Sequence, residues 1–245
     1  MRLYIAGQDA RAAYLTELAR ERGHEAAYRG PWDAVVLDLP RSSVPADAAE
    51  LPDGQLIFCG MTDPDFDRLA EERGWRLIRV LQDERYTQEN AVLSAEGAVF
   101  AAMRQADLAL SDGECLVIGY GRIGKALTRM LRGIGAHVTV AARRPESREA
   151  AGENSIDIPE IKDVLPGMDA IFNTVPSPIL GRAELERAKP SALLVELASR
   201  PYGIDLQAAE GLELRAWLES GIPGRYCPRS AAKILLDLIE RRCES

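Results

Sequence analysis

One stretch constrains this chain more than any other: the apolar run Glu114-Cys115-Leu116-Val117-Ile118 leads directly into Gly119-Tyr120-Gly121-Arg122-Ile123-Gly124, which opens a helical pattern running to about residue 131. Each glycine has a separate physical task. Gly119 permits a tight turn after a strand, Gly121 lets backbone approach a pyrophosphate, and Gly124 lets helix and strand pack closely. The amino terminus of the helix adds N–H donors that have no partner within the helix. A glycine-rich turn without a ligand is the bland alternative, and the position between strand and helix weighs against it.

The next strand, Val138-Thr139-Val140-Ala141-Ala142, decides which dinucleotide is expected. Where an acidic residue would hold the ribose hydroxyls of NAD(H), this strand ends in Arg143-Arg144. Guanidinium groups there suit a 2′-phosphate through charge-assisted, bidentate hydrogen bonds, so NADP(H) is expected in preference to NAD(H). The alternative is that the two arginines are only surface charge on a solvated turn.

Further apolar runs at 170–175, 193–197 and 212–218 complete a doubly wound pattern. Upstream, strand-like runs at 3–7, 34–39, 55–59 and 77–80 alternate with helical patterns at 10–22 and 64–73, which indicates a smaller, mostly parallel sheet. The fold expected is therefore α/β: a Rossmann doubly wound parallel sheet plus a smaller flavodoxin-like α/β domain, as in two-domain dehydrogenases. Residues 41–54 read as a loop. Over 88–107, Ala91, Ala95, Ala98, Ala102 and Ala106 form a small-residue helical face. This helix is expected to lead from one domain into the other, with an ordinary core helix as the competing reading. The tail places Ala231, Ile234, Leu235 and Leu238 on one face. The boundaries expected are 1–87 for a substrate-side domain, with the helix at 229–245 packing back on it, and 88–228 for the nucleotide domain and its leading helix.

Composition narrows the function classes. Lys and Arg total 30 against 38 Asp and Glu, a net charge of −8 that opposes nonspecific nucleic-acid binding. Four scattered cysteines and two histidines suggest neither a disulfide framework nor a metal site. The first residues lack a secretory apolar region and no run suits a bilayer, so a cytoplasmic protein without membrane contact is expected.

Asn173-Thr174-Val175-Pro176 ends a strand at the same carboxyl edge as the glycine loop, where α/β sheets bind ligands, although Asn and Pro also favour plain turns. Asn173 is a candidate catalytic group, and Thr174, Val175 and Pro176 are candidates to wall the nicotinamide. Ser199-Arg200-Pro201 follows the next strand, and Gly221-Ile222-Pro223-Gly224-Arg225 the one after. Arg200 and Arg225 would suit a small substrate with two carboxylates, and Ser199 is a further catalytic candidate; solvated loop arginines are the alternative. His24 and His137 both open strands, at the end opposite the expected site, and no lysine falls in the first domain. What remains on the connecting helix is Glu96 for proton transfer, with Asn90 and Ser94 for substrate contact.

The runs 89–98, 115–124, 138–144, 171–176, 196–199 and 221–228 together resemble the A subunit of the dipicolinate synthases. That resemblance implies a cytoplasmic sporulation enzyme, acting with a B subunit, that uses NADP to oxidise a dihydrodipicolinate-type intermediate to dipicolinate. Two segments depart from the family pattern: Pro201-Tyr202-Gly203 stands where Gly-Gly is expected, and Arg225 replaces a lysine. A divergent D-2-hydroxyacid dehydrogenase-like enzyme and a noncatalytic NADP(H)-sensing subunit remain as other readings, and a homo-oligomer is compatible with either.

Overall fold

A computed structural model describes residues 1–40, 42, 51–107 and 109–244. The chain forms two compact units, one comprising Met1–Leu93 with Pro223–Ser245 and the other Ser94–Ile222.

In the first unit, strands β1 (Arg2–Ile5), β2 (Glu25–Ala26), β3 (Ala34–Val36), β4 (Leu56–Cys59) and β5 (Arg76–Arg79) form a parallel sheet in the order β2-β1-β3-β4-β5. This is the flavodoxin-like order. Alternate strand residues face opposite sides. Leu3, Val36 and Phe58 pack with Leu15 and Leu18 of helix α1 (Ala10–Glu21), while Val35, Ile57 and Cys59 pack with Phe66 and Ala70 of α2 (Pro64–Glu72). Both helices start where the sequence supplies a cap: Asp9 accepts from the Ala12 amide at 2.8 Å and Asp63 from the Phe66 amide at 2.8 Å.

The long helix α3 (Glu84–Gln105) spans the division. It begins earlier than the expected 88, because the Asp83 carboxylate accepts from the Tyr86 amide at 2.9 Å and the Tyr86 ring is buried in the first unit's core. Ala91, Ala95, Ala98 and Ala102 are buried on it.

In the second unit, β6 (Glu114–Ile118), β7 (His137–Ala141), β8 (Ser155–Ile156), β9 (Ala170–Asn173), β10 (Leu193–Glu196) and β11 (Arg215–Leu218) are parallel, in the order β11-β10-β9-β6-β7-β8. Numbered within the unit, this is the Rossmann order, so the expected fold class is borne out. β9 and β10 are buried along their whole length, as strands covered on both faces must be. Between strands lie α4 (Arg122–Gly133), α5 (Pro145–Ala151), α6 (Ile161–Val164), α7 (Arg182–Leu185) and α8 (Leu206–Gly211). Next, α9 (Ile222–Tyr226) leads to α10 (Pro228–Cys243). Ala232, Leu235, Leu236, Leu238 and Ile239 of α10 are buried in the first unit's core. Of the loop expected at 41–54, residues 41 and 43–50 lie outside the described residues.

Candidate functional site

The strand order reverses between β6 and β9, and the loops leaving those strands part at that point. This is the crevice where doubly wound sheets take ligands. Gly119 adopts φ +96, and its amide donates to the Ala141 carbonyl at 2.8 Å. A Cβ there would lie 2.4 Å from Thr174 Oγ1 and 2.7 Å from Val175 Cγ2. Gly124 is tighter still, since a Cβ would come within 2.1 Å of the Gly119 carbonyl oxygen. Gly121 differs from both: it precedes α4, and a Cβ would meet nothing within 4 Å. Two glycines thus serve packing, and the third keeps the start of an uncapped helix open on its outer side. Such a cradle fits a diphosphate, held by amides and favoured by the helix dipole.

Thr174 anchors the opposite lip. Its amide and its hydroxyl both donate to the Ile118 carbonyl, at 2.9 and 2.8 Å. Val175 is half-buried beside it and Pro176 is exposed. On the other side, Tyr120 donates from its hydroxyl to the Ala150 carbonyl at 3.1 Å, which ties the glycine loop to α5. Arg122 is exposed and Ile123 half-buried.

Beyond β7, Arg143 and Arg144 are exposed, and neither has an ion-pair partner among the described residues. The turn carrying them is fixed from below by Arg148, which donates to the Ala142 and Arg143 carbonyls at 2.8 and 2.9 Å and lies 3.4 Å from Asp157. One arginine therefore shapes the turn while two present their guanidinium groups to solvent.

Asn173 closes β9. It is wholly buried, and its Nδ2 donates to both carboxylate oxygens of Glu196, at 2.7 and 2.9 Å, and to the Val175 carbonyl at 3.0 Å. Its partner Glu196, also fully buried, accepts from the Ala198, Gly203 and Ile204 amides, each at 2.8 Å. Read from the sequence alone, Glu196 passes as part of a strand. The available signal is an acidic residue closing the apolar run Leu193-Leu194-Val195, where a buried strand tolerates a charge only if donors surround it.

The loop held by these amides carries Ser199 and Arg200, both exposed, and Tyr202 at φ +58. A tyrosine in that region costs about 1–3 kcal/mol and persists only when its surroundings fix it. Here the Tyr202 amide donates to the Ser199 carbonyl at 3.1 Å, and the Arg200 guanidinium lies 5.6 Å from the Tyr202 ring centroid.

Other candidates are placed apart. On α3, Asn90 and Ser94 are four residues apart and share a face, with Ser94 buried. Glu96 is exposed, and two residues beyond Ser94 the helix has turned it well away from that face. Arg225 lies on α9 in the first unit, 5.1 Å from the Tyr226 ring centroid. His24 and His137 stand at the amino ends of β2 and β7, each near a carboxylate: Glu240 at 2.9 Å and Glu114 at 3.8 Å. Residues 1–87 contain no lysine, and Lys233 of α10, which lies in the first unit, pairs with Asp237 at 3.2 Å.

Residues 79–208 match the family model of the D-isomer specific 2-hydroxyacid dehydrogenase NAD binding domain, and the chain belongs to that family. A pyridine nucleotide is accordingly its cofactor class. Among particular relatives, the dipicolinate synthase A subunit of Bacillus subtilis is 28% identical over 190 residues, 76% of this chain and 64% of that protein. This chain thus spans somewhat less than two thirds of that relative's length. A glyoxylate reductase of Thermococcus gammatolerans is 29% identical over 109 residues, 42% of this chain and 31% of that protein. In fold, the crystal structure of the dipicolinate synthase A subunit from Bacillus halodurans superposes with a TM-score of 0.88 at 20% identity, covering 100% of this chain and 98% of that one. The resemblance expected from the sequence is borne out.

Proposed function

We propose that this chain is an NADP-dependent oxidoreductase that converts a dihydrodipicolinate-type intermediate to dipicolinate, working in the cytoplasm of a sporulating cell with a B-type partner subunit. The observation that carries this reading is the make-up of the second unit's carboxyl edge. It offers the glycine cradle and the guanidinium groups of Arg143, Arg144 and Arg200, while both histidines of the chain stand at amino ends of strands. Hydroxyacid oxidation of the histidine-dependent kind needs an imidazole near the reacting carbon. Aromatisation of a dihydropyridine ring does not place the same demand on the protein. The ring loses a hydride and a proton and becomes a pyridine, so the product's own stability drives the step and orientation is the protein's main task. When bound, the nicotinamide supplies the hydride acceptor.

In this reading Arg143 and Arg144 meet the 2′-phosphate, and Arg200 and Arg225 are the carboxylate partners, by virtue of the planar fork that matches a carboxylate. Asn90 and Ser94 contact substrate from α3. Ser199 and Glu96 are candidates for proton transfer, Glu96 only if the substrate reaches the other side of α3. The first unit has the substrate-side role.

Following reduced nicotinamide with a dihydrodipicolinate-type substrate, with and without the partner subunit, tests the proposal. Reduced NADP and pyridine-2,6-dicarboxylate forming in equal amounts is the expected result. Nucleotide binding without turnover even with the partner present would favour a sensing subunit, and turnover of simple 2-hydroxyacids would favour the other enzyme reading.

A further inference from the structure

Glu196 is a carboxylate buried in full at the carboxyl end of β10, and the groups bonded to it are neutral N–H donors: the Asn173 amide and the backbone amides of Ala198, Gly203 and Ile204. Burying a carboxylate away from a cation is expensive, and an apolar residue would fill the end of a buried strand at lower cost. The acceptor capacity is spent on one task. Ala198 lies just before Ser199-Arg200-Pro201-Tyr202, and Gly203 and Ile204 lie just after, so the two oxygens gather both ends of that turn onto a single group. Through Asn173, the same carboxylate is linked to the loop after β9, whose Val175 amide donates to Asn173 Oδ1 at 3.1 Å. The fit leaves no slack: a Cβ on Gly203 would come within 2.4 Å of Asn173 Nδ2. Tyr202, with its strained backbone, sits inside the gathered segment.

We infer that Glu196 is a positioning residue for recognition of a small dicarboxylate: it holds the 199–202 turn so that the Arg200 guanidinium meets one carboxylate of the ligand. This rests on the function proposed above and adds the residue that aims the recognising group. Glu196→Gln keeps the shape but turns an NH2 group toward backbone donors, which releases the turn without touching the glycine cradle on β6. Gly203→Ala leaves the carboxylate in place and displaces Asn173 instead.

The experiment measures two affinities in the full chain: NADPH alone, then pyridine-2,6-dicarboxylate with the nucleotide saturating, with thermal melting to confirm folding. In both variants the dicarboxylate should weaken by about tenfold or more, the scale of one charge-assisted pair; the NADPH affinity should stay within about twofold in Glu196→Gln, and in Gly203→Ala, which displaces the Asn173 that holds the Val175 loop, it should fall by less than the dicarboxylate affinity. In an Arg200→Ala background the loss caused by Glu196→Gln should vanish, because residues acting as one unit are not additive. Unchanged dicarboxylate affinity with a lowered melting temperature would overturn the inference and leave Glu196 a stabilising group only. Full additivity with Arg200→Ala would overturn it as well. Failure of the unaltered chain to bind the dicarboxylate would overturn the proposed function, and this inference with it. Should Glu196→Gln not fold, Gly203→Ala carries the same comparison.

Discussion

Arg143 and Arg144 follow the buried Ala141, which ends β7, and the buried Ala142, and both are exposed. Replacing both with Ala should leave the melting temperature nearly unchanged and weaken NADP(H) at least about tenfold, roughly 1.4 kcal/mol, with NAD(H) little affected. Competitive titration of the two nucleotides reads this directly, and equal losses for both would remove the selectivity assignment. The glycines divide in a complementary way. Gly124→Ala forces a methyl group against the Gly119 carbonyl oxygen and should destabilise the fold by about 1–3 kcal/mol or more, visible as a lower denaturation midpoint. Gly121→Ala meets no protein atom, so it should fold normally and lose nucleotide affinity alone. A normal midpoint for Gly124→Ala would contradict the packing role.

Elements are legible in the sequence where one signal dominates. The apolar runs of β6, β9 and β10 and the glycine loop each carry a local cause that survives in the structure. What escapes notice depends on partners far away in the chain. Strands β2 and β8 are two residues long and exist because β1 and β7 offer them an edge, and no alternation can show in two residues. The start of α3 lies earlier than the periodicity indicates because Asp83 caps it while also pairing with Arg241 and Arg242 of α10, at 3.3 and 2.8 Å. The same holds for the site: the cradle is written in a motif, whereas the bond between Glu196 and Asn173 joins residues on separate strands. Burial acts on Asp83 to raise its pKa, but the Tyr86 amide and the two arginines outweigh it and hold the carboxyl below its ordinary value. Such a group stabilises the fold at pH above the ordinary carboxylate range near 4, and the contribution fades as pH falls through its own lower value. Asp83→Ala should therefore cost about 1–2 kcal/mol at neutral pH, and the difference from the unaltered protein should narrow in acid. Denaturation midpoints across pH check this, and a gap that widens in acid would contradict it.

At the scale of the whole molecule, the chain leaves the first unit, builds the nucleotide-binding unit, and returns, with α10 completing the first unit's core. Leu236 and Leu238 are fully buried there, so either one changed to Ala should cost about 2–5 kcal/mol, measured by denaturant titration. No helix among the described residues is long and apolar enough to cross a membrane. Within the second unit, the Rossmann strand order and the open helix start at Gly121 converge on a pyridine nucleotide at the switch point, and the proposed selectivity for its 2′-phosphate rests on the exposed arginines after β7. Titration calorimetry of the unaltered, folded chain with NADP(H) and NAD(H) tests that most directly. Binding of both, with NADP(H) at least about tenfold tighter, is the expected result; no heat with either nucleotide, or tighter binding of NAD(H), would contradict it.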